Sequence, residues 1–143
     1  MIRPFSPSDL YSILKIEQKS FPKSPYDSRT FLQLYAFCPE TFLVYVGTDV
    51  DQEEQIWGYI IFLPEGRVIS IAVLPTQRRK GIGRELIQKA MEISHIKRLQ
   101  VEVRKSNVGA QAFYARLGFR RYSMIPNYYG DEDGLLLEWV SQA

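Results

Sequence analysis

Hydrophobic residues recur along the chain with two spacings, and each spacing predicts a different kind of element. Four segments carry apolar positions three and four residues apart, as amphipathic helices do, and seven shorter runs are rich in the β-branched and aromatic residues of strands. The predicted helices run from the capping residues 6–9 to about residue 20 and over residues 28–37, 83–94 and 107–117. The predicted strands cover residues 2–5, 41–46, 56–63, 67–74, 99–103, 119–123 and 135–140. This order of elements predicts a mixed α/β layer fold.

Punctuating residues separate several of these elements. Pro22 and Pro25 end the first helix, because proline lacks the amide hydrogen that a helix interior needs. The acidic segment 48–54 joins two strands and predicts a solvated turn within an antiparallel pair. Gly118 predicts the C-terminal end of the last helix.

The composition is typical of one soluble globular domain, with 45% hydrophobic and 24% charged residues. The 143 residues suffice for one domain but not for two, and they contain no repeat or low-complexity linker, so we predict a single domain over residues 1–143. Cys38 is the only cysteine, which excludes an internal disulfide. No apolar signal run follows residues 1–5, and no stretch approaches the roughly 18 apolar residues of a membrane span. We therefore predict a cytoplasmic protein without membrane contact.

The most informative segment follows the strand at residues 69–74 and leads into the helix that begins near residue 83. Gly81 and Gly83 allow the backbone to approach a ligand closely. The helix behind them presents unpaired amide groups and the positive end of its dipole. Four side chains of the segment carry positive charge: Arg78, Arg79, Lys80 and Arg84. Together these features predict a site for a pyrophosphate group.

Two common phosphate-binding motifs do not match this segment. The P-loop pattern Gly-x-x-x-x-Gly-Lys-Ser/Thr is absent from the sequence. The dinucleotide fingerprint requires a third glycine where Leu86 stands, and its first glycine follows the strand without the basic insert found here. From the spacing alone, a basic surface loop with two turn glycines remains the alternative to a phosphate site.

Two motifs resemble those of one enzyme family. Arg78-x-x-Gly81-x-Gly83 is similar to the Gln/Arg-x-x-Gly-x-Gly/Ala acetyl-CoA signature of the GNAT acetyltransferases, and residues 71–75 resemble the strand that precedes it. Segments 101–107 and 112–119 resemble the C-terminal motif of the same family. The resemblance implies the GNAT fold, in which a mostly antiparallel central sheet of about seven strands is flanked by about four helices.

A third motif narrows the resemblance. Asn127-Tyr128-Tyr129, followed by the acidic residues 131–133, is similar to the acceptor-side hairpin of the RimI-type branch, which acetylates protein N-termini. The match is specific from about residue 56 to residue 139. It implies transfer of the acetyl group of acetyl-CoA to the α-amine of a protein or peptide by direct attack in a ternary complex.

The resemblance also implies a role for individual residues. Glu102 aligns with the general base of the family and Tyr114 with its general acid. The implied acetyl-CoA site comprises Ile71, Ala72, Val73, Arg78, Arg79, Lys80, Gly81, Ile82, Gly83, Arg84, Asn107 and Tyr114. The implied acceptor site comprises Phe21, Pro22, Tyr26, Tyr128 and Tyr129.

Both catalytic assignments have a structural alternative. Glu102 alternates with Val101 and Val103, so it points to the opposite face of the sheet. Without the family resemblance, the favoured interpretation of Glu102 is a solvated surface position. Tyr114 shares an apolar helix face with Leu117, so a packed aromatic ring is the default without the family. As a general acid, a tyrosine with a pKa of about 10 holds its proton at neutral pH.

Cys38 and His95 receive no catalytic role. Cys38 has no cationic sequence neighbour, so we predict an inert buried thiol rather than a carrier of the acetyl group. His95 follows a helix, and the sequence holds no cluster of metal-ligating residues to recruit it, so no metal site is predicted.

Two other functions stay open. An enzyme of this family could instead act on lysine side chains or on small amines such as polyamines. A non-catalytic module could bind nucleic-acid phosphates through residues 78–84, although the net charge of +2 and the lack of interleaved aromatic residues argue against it. We expect a monomer or a weak homodimer.

Overall fold

The computed structural model describes residues 1–141, and these contain four α-helices and seven β-strands in the predicted order. The helices are α1 Leu10–Ser20, α2 Ser28–Phe37, α3 Ile82–Ser94 and α4 Val108–Leu117. The strands are β1 Ile2–Pro4, β2 Phe42–Thr48, β3 Glu54–Phe62, β4 Val68–Val73, β5 Arg98–Arg104, β6 Arg120–Ile125 and β7 Gly134–Val140. Short 3-10 turns at Pro7–Asp9, Pro39–Thr41 and Pro75–Gln77 precede α1, β2 and the loop before α3.

Local capping explains where several helices begin and end. The Asp27 carboxylate accepts a hydrogen bond from the amide of Thr30 at 2.9 Å and so starts α2. The Asn107 side chain does the same for the amide of Ala110 at 3.0 Å and starts α4. Gly118 ends α4 with a φ of 107°, a left-handed conformation that glycine adopts without a steric penalty. The predicted stop at Gly118 is therefore confirmed.

The seven strands form two antiparallel sheets rather than one continuous sheet. The first has the order β1-β2-β3-β4 and the second the order β5-β7-β6. β4 and β5 run parallel and meet through a bridge between Arg67 and Gln100, next to a hydrogen bond from the Gln100 amide to the Gly66 carbonyl. Beyond that bridge, no backbone hydrogen bond joins the two strands within residues 1–141. The outer edge of β4 therefore offers backbone donors and acceptors to a ligand.

Two hydrophobic cores cover the two faces of the first sheet. The core under α3 and α4 contains Tyr114 of α4 and also the inward residues of β5 and β7, among them Val101, Val103 and Leu135. The core under α1 and α2 is built from Ile13, Phe31 and neighbouring residues of β2 and β3. The alternation of β5 is confirmed, because Val101 and Val103 are buried while Glu102 is not.

Three further predictions concern isolated features. Cys38 is buried, and its thiol donates to the Leu34 carbonyl at 3.2 Å, as expected for an inert position. His95 is exposed at the C-terminal end of α3. None of the described helices has the length and apolar character needed to cross a membrane.

Candidate active site

The loop between β4 and α3 forms a cradle of backbone amides. Arg79 has a φ of 67° and Gly81 a φ of 80°, so the chain turns through the left-handed region twice before α3 begins at Ile82. A non-glycine residue held in that region is strained, and such strain is concentrated at functional sites. No side chain caps the start of α3, so its first amides are free to bind an anion.

A cavity of about 710 Å³, the first cavity, opens in front of this loop. Seven predicted cofactor residues line it: Val73, Arg78, Arg79, Gly81, Ile82, Gly83 and Arg84. The sequence did not indicate Arg116, which lines the cavity from α4 and adds a fourth guanidinium group. No acidic side chain lines this cavity among the described residues. Its size, positive charge and free helix amides fit the diphosphate of a coenzyme.

Gly83 has a packing role that the motif alone does not show. A methyl group at this position would lie 2.6 Å from Cδ2 of Leu117, closer than carbon atoms can approach. Gly83 therefore lets α3 and α4 come together, and the two helices form opposite walls of the first cavity.

A second cavity of about 270 Å³ adjoins the first and lies between β4, α4 and the end of α1. The two share Arg78, Phe113 and Arg116 in their linings. The predicted residues Ile71, Ala72, Asn107, Tyr114 and Phe21 line the second cavity. The free outer edge of β4 faces this space, which suits an extended ligand that makes backbone hydrogen bonds along a strand.

Two basic residues of the loop make hydrogen bonds within the protein. Nε of Arg78 donates to the Val73 carbonyl at 3.1 Å, which braces the loop against the end of β4. Nζ of Lys80 donates to Oε1 of Gln77 at 2.8 Å and lies over the ring of Trp57. Lys80 lines neither cavity, so the structure does not bring it together with the other predicted cofactor residues.

Tyr114 is both packed and exposed to the second cavity. Its ring makes edge contacts with Phe113 and Phe119, and only 7% of the residue is accessible. Burial raises the pKa of its hydroxyl, and the nearby Tyr26 and Glu17 raise it further. The hydroxyl therefore keeps its proton across the neutral range, which a general acid requires.

Glu102 lies on the sheet face opposite the two buried valines and is held by two neighbours. Its Oε2 accepts a hydrogen bond from Nη2 of Arg67 at 3.1 Å and another from the hydroxyl of Tyr128 at 2.7 Å. The hydrogen bond to Glu102 raises the pKa of Tyr128. Within the described residues no hydrogen bond engages Oε1 of Glu102, so that oxygen can accept from a bound amine.

The loop between β6 and β7 is held by the end of β5 and the turn that follows it. Nη1 of Arg104 pairs with Asp131 at 2.9 Å, and the amide of Ser106 donates to Glu132 at 2.7 Å. The guanidinium of Arg104 also lies over the ring of Tyr129, 4.3 Å from its centre. These contacts hold the hairpin that carries both predicted acceptor tyrosines.

Only one of the five predicted acceptor residues lines either of the two cavities. Phe21 lines the second cavity, whereas Pro22, Tyr26, Tyr128 and Tyr129 lie outside both cavities, as Glu102 does. Burial raises the pKa of Tyr26, Glu17 raises it further, and the charge of Arg67 opposes them. The charge of Arg67 acts to lower the pKa of both Tyr26 and Tyr128, so Arg67 lies near both tyrosines.

Glu17, for which the sequence predicts no role, lies beside this site. Its side chain is buried on α1 and accepts hydrogen bonds from Tyr26 and Tyr59. The available signal was a carboxylate on the apolar stripe of α1, four residues after Ile13. Such a position calls for buried hydrogen-bond donors, and only the folded chain identifies them.

The α/β fold and the paired cavities fit a protein that binds an elongated, phosphate-bearing coenzyme. Comparison with known proteins agrees. The sequence profile of the acetyltransferase (GNAT) family matches residues 10–119. An uncharacterised N-acetyltransferase of Methanocaldococcus jannaschii is 35% identical, with 96% of this chain and 89% of that protein covered. An N-alpha-acetyltransferase of Sulfurisphaera tokodaii is 31% identical, with 91% and 86% covered. The crystal structure of the ribosomal-protein-S18-alanine N-acetyltransferase from Escherichia coli matches with a TM-score of 0.69 and 27% identity, covering 100% and 95%.

The chain belongs to the acetyltransferase (GNAT) family. It is an acetyl-CoA-dependent N-acetyltransferase, and the resemblance stated from the motifs is confirmed.

Proposed function

We propose that the acceptor is the N-terminal α-amine of a protein or peptide. The observation that carries the proposal is the hydrogen bond from Tyr128 to Glu102, which joins the predicted peptide-binding hairpin to the predicted proton acceptor. The names of two relatives support the same acceptor, because one is an N-alpha-acetyltransferase and the other a ribosomal-protein-alanine N-acetyltransferase. The exposed hydroxyl of a tyrosine can also bond to peptide backbone.

In this proposal the first cavity holds the diphosphate of acetyl-CoA and the second cavity holds the arm that leads to the thioester. Acetyl-CoA supplies the activated acetyl group that the amine receives. Arg79, Arg84 and Arg116 neutralise the phosphate charges, and the first amides of α3 donate to them. The free edge of β4 orients the arm toward Tyr114.

In this proposal Glu102 and Tyr114 transfer the protons of the reaction. A protein α-amine has a pKa of about 7.7–8, so it needs only modest help to become neutral at pH 7. Oε1 of Glu102 accepts that proton, directly or through water, while Arg67 and Tyr128 hold Oε2 in place. The hydroxyl of Tyr114 supplies a proton to the leaving sulfur. Direct attack is supported by the burial of Cys38 in the core under α1 and α2.

Replacing Glu102 with glutamine should move the pH optimum upward. Without the carboxylate, the reaction depends on amine that is already neutral, and that fraction grows as the pH rises toward about 8. The measurement is the pH profile of kcat/KM with an unblocked peptide, for Glu102→Gln against the unaltered enzyme.

Glu138→Gln provides the matched control for this change. Glu138 is a mostly buried carboxylate on the same sheet and is paired with an arginine, Arg98, as Glu102 is paired with Arg67. Its replacement should leave the pH profile unaltered. A profile unchanged in Glu102→Gln would remove Glu102 from the role of base.

The acceptor itself is tested with paired peptides. Peptides with a free α-amine should be acetylated, and the same peptides with a blocked α-amine should not, although both contain a lysine. A lysine amine with a pKa of about 10.4 is neutral in fewer than about one molecule in a thousand at pH 7, so it reacts poorly where the base gives modest help. Activity that survives blocking, or that prefers polyamines in a panel of small amines, would favour the lysine or small-amine alternative.

A further inference from the structure

Glu17 is a carboxylate buried without a cationic partner. The residue is 2% exposed, and none of the ion pairs among residues 1–141 includes it. Burial raises the pKa of its carboxyl group, although hydrogen bonds from Tyr26 and Tyr59 act in the opposite direction. A buried carboxylate without a cation is costly. Hydrogen bonds must therefore offset the cost of burying Glu17, and their donors identify the segments that it connects.

Both oxygens of this side chain are used. Oε1 accepts from the hydroxyl of Tyr59 on β3, and that hydroxyl is also 2.9 Å from the hydroxyl of Ser70 on β4. Oε2 accepts from the backbone amide of Tyr26 at 2.9 Å. One side chain thus connects α1, the first sheet and the residues that precede α2.

Glu17 also anchors both ends of residues 21–26, here called the acceptor segment. Its backbone carbonyl accepts from the amide of Phe21 at 2.8 Å, and its carboxylate accepts from the amide of Tyr26. Within the described structure, the Tyr26 amide is the only one of this segment that a side chain holds. Because the segment has no helix or strand of its own, this bond fixes its far end.

The acceptor segment borders the reaction site. Phe21 lines the second cavity together with Tyr114, and both Tyr26 and Glu17 are near enough to influence the Tyr114 hydroxyl electrostatically. We propose, on the basis of the proposed function, that Glu17 is a positioning residue that holds the acceptor segment at the amine-binding side of Tyr114. A carboxylate suits this role because it accepts at both oxygens, whereas an amide accepts at only one.

Glu17→Gln tests the proposal with two separate measurements. Hydrogen exchange should report faster exchange of the Tyr26 amide by about tenfold, because glutamine replaces the charged acceptor of that amide with a neutral one and so weakens the hydrogen bond. Kinetics should report a KM for the acceptor peptide raised by about tenfold, with kcat and acetyl-CoA affinity changed by less than about twofold. Tyr59→Phe, which keeps the Tyr26 bond, should produce smaller changes in the same direction and guards against misfolding of the first variant.

Asp9→Asn is the matched control. Asp9 is also a buried carboxylate near the start of α1, and it accepts from Arg3 and from the amide of Ser6. It lines neither cavity, so its replacement should lower stability without raising the peptide KM.

The outcomes separate this proposal from the proposed function. Unchanged exchange at Tyr26 in Glu17→Gln, a fall in kcat at constant KM, or an equal rise in KM in Asp9→Asn would each overturn the positioning role. If the unaltered enzyme acetylates no α-amine, the proposed function fails, while hydrogen exchange still decides whether Glu17 holds the segment.

Discussion

Replacing Tyr114 with phenylalanine is expected to lower the turnover number by about a hundredfold, within the range that general acid catalysis contributes. Acetyl-CoA should bind almost as before, because phenylalanine keeps the edge contacts of the ring with Phe113 and Phe119. What is lost is a hydroxyl whose pKa is raised by burial and by Tyr26 and Glu17, and which therefore holds its proton at neutral pH. Steady-state kinetics combined with calorimetry of acetyl-CoA binding measures both quantities.

Tyr122→Phe is the control for this change. Tyr122 is exposed on β6, outside both cavities, and the guanidinium of Arg98 lies 4.7 Å from the centre of its ring, a contact that phenylalanine can keep. Turnover should be unaffected there. Full turnover in Tyr114→Phe, or a loss of affinity as large as the loss of rate, would show that Tyr114 only packs.

The second large effect concerns coenzyme affinity. Changing Arg79 and Arg84 together to glutamine should weaken acetyl-CoA binding by about a hundredfold, because each removes a charge-assisted contact worth roughly a factor of ten. Both residues line the first cavity, and no carboxylate in its described lining offsets their charge. Calorimetry at two salt concentrations measures the effect, and the affinity of the unaltered protein should itself fall as salt rises.

The double variant Arg29→Gln and Arg121→Gln controls for the loss of two positive charges. Arg29 is exposed on α2 and Arg121 on β6, and neither lines the first or the second cavity. The acetyl-CoA affinity of this control double variant should match that of the unaltered protein. Equal weakening in both double variants would mean that overall charge, and not the loop, attracts the coenzyme. No heat with acetyl-CoA in the unaltered, folded protein would contradict the cofactor assignment itself.

Much of the fold was predictable because each element carries its own signal. Gly118 stops α4 by a conformation that glycine tolerates, and the alternation of Val101, Glu102 and Val103 describes a strand with one buried face. The glycines and arginines of residues 78–84 likewise act over a few neighbouring positions. Patterns that span only a few neighbouring residues can be recognised in a single sequence. The glycines and arginines of this loop do line one cavity, in agreement with the pattern.

Contacts between distant segments were not predictable in the same way. The sequence does not show that β4 and β5 separate after Arg67, that Arg116 joins the loop arginines, or that Lys80 turns toward Trp57. The motif explains Gly83 by ligand approach alone, whereas its packing against Leu117 is visible only in the folded chain. Each of these facts depends on two segments meeting, and the energies involved are set by packing that no local pattern records.

The amino-acid order alone thus predicted the elements, the loop proposed to bind an anion and the family, because propensity, capping and motif spacing act between residues close in the chain. Only the tertiary structure decided which residues surround the candidate site. It separated the two sheets, paired Glu102 with Arg67 and Tyr128, and buried Glu17 against Tyr59 and Tyr26. The physical reason is that a carboxylate's role is set by the donors and charges around it, and here those donors come from residues up to 42 positions away.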